Sequence, residues 1–445
     1  MMLEQPVQSI IPQLAIPAII SMLITAIYNM ADTYFVSQIS TAASGAVGVT
    51  FSAMAMVQAV AFMMAMGAGN NISQHLGRGE TEKAKEYAAC SFFTTFAIGL
   101  AIMVLGNMNL DFVVRFLGAT ETIAPHAKDY ARYIFYGAPF VMCSFTLNNF
   151  LRSSGLSSVA VIGITAGGVL NIVLDPIFIF VMDMGIAGAA IATAVSQFVS
   201  FSILLLISNC RADAISVSIK SFRFNGLTFY KIFSTGFPSL ARQGIASVST
   251  IVLNKMAGPY GDAAIAAMSI VMRYVMFLNA AVIGFGQGFQ PVCGFSYGAG
   301  KYKRVKEALF FSIKVTTVIL LTLSIISALF SGQIIALFRK EDAEVIRIGT
   351  TALRMHLSTM PLWGVIIMGN MMTQTIGYAK EATLTAIARQ GLFLIPALLI
   401  LPLVLELTGL MIAQPVADIC TLFLCVYVLR RVLRDLDRKD NEKNC

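Results

Sequence analysis

Charge is what this sequence has least of. Asp, Glu, Lys and Arg together make up 12% of its 445 residues, about half of the quarter that soluble domains carry. That excludes a water-soluble globular chain, and a mean hydropathy of +0.78 places the protein in a bilayer. Histidine is rarer still: His75, His126 and His356 form no H-E-x-x-H pair. Only His356, inside an apolar run, is a candidate for a role. The cysteines (Cys90, Cys143, Cys210, Cys293, Cys420, Cys425 and Cys445) show no short paired spacing of the metal or redox kind. No Asp-rich metal motif stands out either, so an enzyme is not expected. Glu4 occupies the place of a basic start, and the first apolar run is as long as a span, so no cleavable signal peptide is expected.

What is abundant is apolar sequence in runs of roughly 20 residues, the length that crosses a bilayer. They lie near 11–37, 46–70, 88–107, 130–151, 157–182 and 186–209, then near 229–254, 263–290, 308–330, 347–372, 382–404 and 408–429. The expected fold is an all-α polytopic membrane protein with twelve transmembrane helices in two six-helix lobes. The N-terminal lobe covers 1–209, a polar linker 210–228, the C-terminal lobe 229–429 and a basic tail 430–445. The lobes repeat one another. Arg132, Pro139, Asn148 and Gly155 recur as Arg354, Pro361, Asn370 and Gly377, each displaced by 222 positions. Gly77-x-Gly79 and Pro17 recur at a displacement of 221 as Gly298-x-Gly300 and Pro238. An even number of spans per lobe makes the repeat parallel, and duplicated halves in a membrane are the usual frame of a secondary transporter.

Lys and Arg crowd one side of this topology: Arg78, Lys83 and Lys85, then Lys301, Lys303, Arg304 and Lys306, and the tail from Arg430 to Lys443. The other side holds Arg115, Lys128, Lys255, Arg339, Lys340 and Arg347. The positive-inside rule then makes both termini cytoplasmic in the plasma (inner) membrane. The net charge of +8 is a topology signal. No nucleic-acid partner is expected, and the tail sits where anionic lipid headgroups attract it.

Chemistry must come from what is costly in lipid. Asp32, Asp175 and Asp418 lie deep in spans, each at about 2.5 to 3.5 kcal/mol on insertion scales. Ser21, Thr25, Tyr28, Asn29 and Asp32 trace one polar stripe on the first span. Asn171 and Asp175 share a face of the fifth, Thr193, Ser196 and Gln197 a face of the sixth, and Asn148 adds an amide from the fourth. Carboxylates with oxygen ligands around them in a low dielectric avoid naked charge by taking up protons or a hard cation such as sodium. Asp32 and Asp175 thus mark a cation switch; a structural salt bridge is the bland alternative.

The runs Tyr28-Asn29-Met30-Ala31-Asp32-Thr33-Tyr34-Phe35-Val36, Asn171-Ile172-Val173-Leu174-Asp175-Pro176-Ile177-Phe178-Ile179 and Gly188-Ala189-Ala190-Ile191-Ala192-Thr193 resemble the multidrug and toxic compound extrusion (MATE) exporters, over roughly Pro17 to Arg431. The resemblance implies two six-helix bundles around a central cavity and export of small organic compounds or drugs driven by inward protons or sodium. It places cation coupling on Asp32, Asn171, Asp175 and Thr193, with Tyr28 and Asn148 as neighbours, and implies no cofactor beyond the coupling ion. Some branches of the family carry acidic ligands in the seventh, eighth or tenth span. Here those spans have none, and Gln287 occupies one such position.

The second lobe has arginine instead. Arg242, Arg273 and Arg389 lie within spans seven, eight and eleven, with Arg354 nearer an end of span ten, against the single acid Asp418. Together with Gln287 they are candidates for the substrate cavity, where guanidinium groups favour a carboxylate or phosphate on the substrate. The alternative is that they serve Asp418 and helix ends. A monomeric exporter surrounded by membrane lipids is the leading reading; a flippase for lipids or lipid-linked sugars is the alternative.

Overall fold

The computed structural model describes residues 2–119, 121–211, 215–338 and 342–444. Arg339 and Lys340, counted above as outer-side charges, lie outside them. Every expected span is helical, and no strand occurs among the described residues. The first six spans are Val7–Ser37, Thr41–Gly77, Thr81–Met108, Ala124–Ser153, Ser157–Val181 and Gly185–Cys210. The seventh, eighth and ninth are Gly226–Ala257, Asp262–Gly298 and Tyr302–Leu329. The tenth is Ala343–Thr359 continued by Trp363–Thr375 across a tight turn at Met360–Leu362, where Pro361 removes a backbone donor. The eleventh begins at Ala379, and Glu406, at φ 49° and ψ −134°, divides it from the twelfth, which runs on to Asn444.

Nine helices among the described residues are long and apolar enough to cross a membrane. Twelve crossings result because Ala379–Lys443 contains two, the turn at Met360–Leu362 splits the tenth, and Arg242 and Gln243 depress the hydropathy of the seventh. The outer faces are apolar: Val181 is 79% exposed, Leu403 80% and Phe423 71%. Such surfaces are tolerated where hydrocarbon is the solvent, and the helices satisfy their backbone groups internally.

Close helix approach depends on residues without side chains. A Cβ at Gly67 would lie 2.0 Å from the Ile232 carbonyl oxygen, and one at Gly236 would lie 2.0 Å from that of Met63. Spans two and seven therefore touch backbone to backbone there. Beside them Met64, Ile72, Leu147, Phe150 and Leu204 form a core. By internal contacts the chain divides into Gln13–Leu240 and a unit made of Met1–Pro12 with Ala241–Cys445. The linker folds onto the first of these: Ser208 donates to the Ile215 carbonyl at 2.7 Å and Cys90 to that of Arg223 at 3.1 Å.

The repeat is kept in backbone detail. Span two ends with Glu80 N–H on the His75 carbonyl at 2.9 Å, and span eight with Lys301 N–H on the Ser296 carbonyl at 2.8 Å. Span four ends with Leu156 N–H on the Leu151 carbonyl at 2.8 Å, and span ten with Tyr378 N–H on the Thr373 carbonyl at 2.9 Å. These closures need a left-handed residue, supplied by Gly155 (φ 88°) and Gly377 (φ 89°). Short helices at Leu110–Phe116 and Ser331–Phe338 also repeat, below the length that hydropathy detects. The basic tail is helical and partly committed to protein. Lys439 donates to the Tyr378 hydroxyl at 2.9 Å, and Lys443 to the Ala299 carbonyl at 3.2 Å. Arg430, Arg431 and Arg434 remain exposed.

Candidate functional site

The site in the N-terminal unit is built where glycines let span five approach its neighbours. A Cβ at Gly167 would meet the Ser200 side chain at 2.8 Å; one at Gly168 would meet Ile24 at 2.9 Å and Tyr28 at 3.3 Å. One turn further along, the same helix presents Asn171 toward span six, and then Asp175. Pro176 follows at once and has no N–H for the Ile172 carbonyl, and the helix widens into a π segment over Ile177–Val181. Such local widening is common at functional sites.

Asn171 donates its amide to Asp175 Oδ1 at 3.1 Å and to Thr193 Oγ1 at 3.3 Å. Asp32 Oδ2 accepts from the Tyr130 hydroxyl at 3.3 Å. Asp175, Asn171 and Thr193 are buried, as are Tyr28 and Tyr130. The two carboxylates are near enough to repel one another, and Tyr28 pairs with Gln197. No Lys or Arg forms an ion pair with either acid among the described residues. Asp32 Oδ1, Asp175 Oδ2, Asn171 Oδ1 and Ser196 Oγ are buried with no protein partner. Leaving such atoms unpaired costs about 1 to 3 kcal/mol each. The donor set is all oxygen, which suits protons or a hard cation and excludes a soft-metal site.

Five of the six expected coupling residues thus fall together: Tyr28, Asp32, Asn171, Asp175 and Thr193. Asn148 does not belong to them. Its amide donates to the Ala160 carbonyl at 2.9 Å, tying the end of span four to the start of span five. Asn370 does the same toward Ala382 at 2.7 Å. Tyr130 was missed, since an aromatic at the start of a span reads as an interfacial anchor. The stripe on span one is only partly a site. Thr25 and Asn29 donate to the carbonyls four residues earlier, at 2.9 and 2.8 Å.

The arginines of the C-terminal unit do not form a common anion-binding surface. Arg389 Nε donates to Asp418 Oδ1 at 2.9 Å, and its guanidinium lies 3.8 Å from the centre of the Trp363 ring. Of the two sequence readings of Arg389, the ion pair is the one in which it serves Asp418. Asp418, fully buried, also accepts from Gln414 at 2.9 Å, from Trp363 Nε1 at 2.7 Å and from Thr359 at 3.1 Å. Arg242 reaches Asn370 Oδ1 at 3.4 Å, Arg354 donates to Ser331 at 2.8 Å, and Arg273 is exposed. Gln287 is buried within span eight. His356 is buried with both ring nitrogens unpartnered, beside a cleft lined by Ser249, Met268, Gln390 and Gln414. Gly294-Phe295-Ser296-Tyr297-Gly298 has the spacing of a hydrolase nucleophile elbow. It lies inside a helix, not on the strand-to-helix turn that exposes such a serine.

The MatE family model matches residues 17–177 and again 238–399. The two matches start 221 positions apart, the displacement of the repeat. The chain is 29% identical over 435 residues to the multidrug export protein MepA of Staphylococcus aureus (strain NCTC 8325 / PS 47), covering 96% of this chain and 95% of that one. It is also 29% identical over 420 residues to MepA of Staphylococcus saprophyticus, covering 94% and 92%. Among solved structures, an outward-facing multidrug resistance MATE transporter superposes with a TM-score of 0.93 at 25% identity, covering 98% of each chain. A MOP superfamily transporter from Pyrococcus furiosus does so with the same score, identity and coverage. Two copies of the family unit in one helical membrane chain, matched end to end by these transporters, mean that the protein belongs to the MatE family of multidrug and toxic compound extrusion transporters.

Proposed function

We propose that this protein is an antiporter of the cell membrane that exports organic compounds by alternating access, driven by protons or sodium taken up at Asp32 and Asp175. The observation that carries the reading is the pair of neighbouring acids without a countercharge, each with one buried oxygen unpartnered. A purely structural carboxylate would be saturated with donors, as Asp418 is. Asn171, Thr193, Tyr28 and Tyr130 orient the pair, and Ser196 adds a neutral oxygen. The substrates are amphipathic organic molecules, in line with relatives named for multidrug export. The uneven spread of Lys and Arg supports cytoplasmic termini, and the exposed Arg430, Arg431 and Arg434 suit anionic headgroups. The protein works as a monomer. A lipid-linked sugar flippase would call for an open basic cavity, and the neutralisation of Arg389 by Asp418 counts against one.

The test is dye uptake by inverted vesicles, with a proton gradient and a sodium gradient imposed separately. Uptake driven by one of the gradients and abolished by Asp175→Asn is the expected outcome. Equal uptake with neither gradient would remove the coupling reading.

A further inference from the structure

The two units carry different polar chemistry at positions that the repeat makes equivalent. At a displacement of 221, Thr193 corresponds to Gln414 and Gln197 to Asp418. Span one keeps that displacement and takes Asp32 to Leu253, while spans four and five keep 222 and take Asp175 to Ala397 and Gly167 to Arg389. In the N-terminal unit the position of Gly167 is kept free of side chain and Ser200 packs close to it, 2.8 Å from where a Cβ would lie. In the C-terminal unit that position sends a guanidinium to the buried carboxylate of span twelve.

The saturation of Asp418 is complete by donor count. An ionised carboxylate offers about four lone-pair sites, and four donors meet them: Arg389 and Gln414 on Oδ1, Trp363 and Thr359 on Oδ2. In the other unit, two acids keep open oxygens and make no ion pair with Lys or Arg among the described residues. The contacts of Asp418 also bridge helix irregularities. Thr359 and Trp363 flank the tight turn of span ten, and Arg389 lies in the π segment Ala388–Phe393 of span eleven. The one charge pair therefore fixes the junction of spans ten, eleven and twelve.

We propose that Arg389 is a resident counter-cation: its guanidinium takes, in the C-terminal unit, the part that a mobile coupling ion takes in the N-terminal unit, and so holds the C-terminal unit permanently outside the coupling cycle. The ligand class that the junction accepts is a small, planar, hydrogen-bonding monocation. The coupling half of this statement rests on the function proposed above; the resident-cation half does not. Arg389 acts through Asp418 as a positioning residue.

The test uses the full-length protein, purified in detergent and reconstituted in proteoliposomes. Arg389→Ala removes the cation and leaves its volume. The melting midpoint should fall by several degrees. Millimolar methylguanidinium should restore most of that fall, and tetramethylammonium at equal ionic strength should not. Wild type and Arg389→Ala/Asp418→Asn should show no such restoration. Restoration no greater with methylguanidinium than with tetramethylammonium overturns the resident-cation assignment. Should Arg389→Ala fail to fold, Arg389→Met/Asp418→Asn carries the test, because it removes both charges together. Its transport should keep the wild-type dependence on the imposed gradient to within about twofold. Loss of that dependence would place the C-terminal unit inside the coupling cycle and overturn the proposal. Wild-type and Asp32→Asn transport are measured in parallel. If wild type ignores every gradient, the coupling clause falls with the proposed function, while restoration by methylguanidinium still decides what Arg389 is.

Discussion

Replacing Asp175 by Asn tests the coupling site without disturbing its shape. The amide is nearly isosteric with the carboxylate. Its Oδ1 can still accept from Asn171, and its new Nδ2 falls where Asp175 Oδ2 now has no partner. The same holds for Asp32→Asn, whose Oδ1 can take the Tyr130 hydroxyl now on Asp32 Oδ2. Both variants should insert and fold, since each removes a buried charge that no Lys or Arg among the described residues neutralises. The lost quantity is the driving force. One positive charge moving down about 100 mV releases about 2.3 kcal/mol, and at about 1.4 kcal/mol per decade that sustains roughly a 50-fold accumulation of substrate for each coupled charge. Asp175→Asn should therefore lower the steady-state accumulation ratio in inverted vesicles toward unity while substrate still binds. The assay is dye accumulation at a clamped potential, with binding followed separately by fluorescence anisotropy. Accumulation at the wild-type level in both Asp32→Asn and Asp175→Asn would refute the assignment, because no other uncompensated acid shares that cluster.

Tyr130→Phe deletes one hydrogen bond to Asp32, worth about 1 kcal/mol, and should change the apparent affinity for the coupling ion about fivefold; an unchanged titration of transport against ion concentration would argue that Tyr130 is only packing. Gly168→Val places side-chain carbon where Ile24 and Tyr28 now lie, at 2.9 and 3.3 Å from a Cβ, so span one must shift; gradient-driven accumulation should be lost with membrane insertion intact, and normal accumulation would show that the approach of spans one and five is not needed. Gly155→Ala and Gly377→Ala each force a left-handed residue to carry a side chain, at about 1 to 2 kcal/mol; both should lower the melting midpoint to a similar extent, and indifference at either would contradict the closure described for that span. A reporter active only in the cytoplasm should work after Arg438 or near Lys220 but not near Asp183, and activity at Asp183 would reverse the orientation.

Much of the fold could be read from the sequence because hydropathy and repetition are backbone-level signals. Run length sets the spans, and Gly155 with Gly377 marked closures that the structure realises with nearly equal φ. The short helices at Leu110–Phe116 and Ser331–Phe338 escaped because eight residues or fewer carry no span-length signal. The site was legible where polar residues shared one helix, as Asn171 and Asp175 do. Partnership between helices was not. Counting charges per span offered Asp418 as a partner for the arginines without choosing among them, because nothing in sequence order says that spans eleven and twelve bring Arg389 within 2.9 Å of it. Asn148 is instructive in another way. Its recurrence as Asn370 was already visible, and each donates to the first turn of the following span. An amide that both halves keep serves what both halves share, the architecture of a bundle. Asp32, which becomes Leu253 at the 221 displacement of span one, and Asp175, which becomes Ala397 at the 222 displacement of span five, serve what only one half does. In a duplicated transporter the costly polar residues that fail to repeat are therefore the better guide to coupling, and those that do repeat are the better guide to the frame.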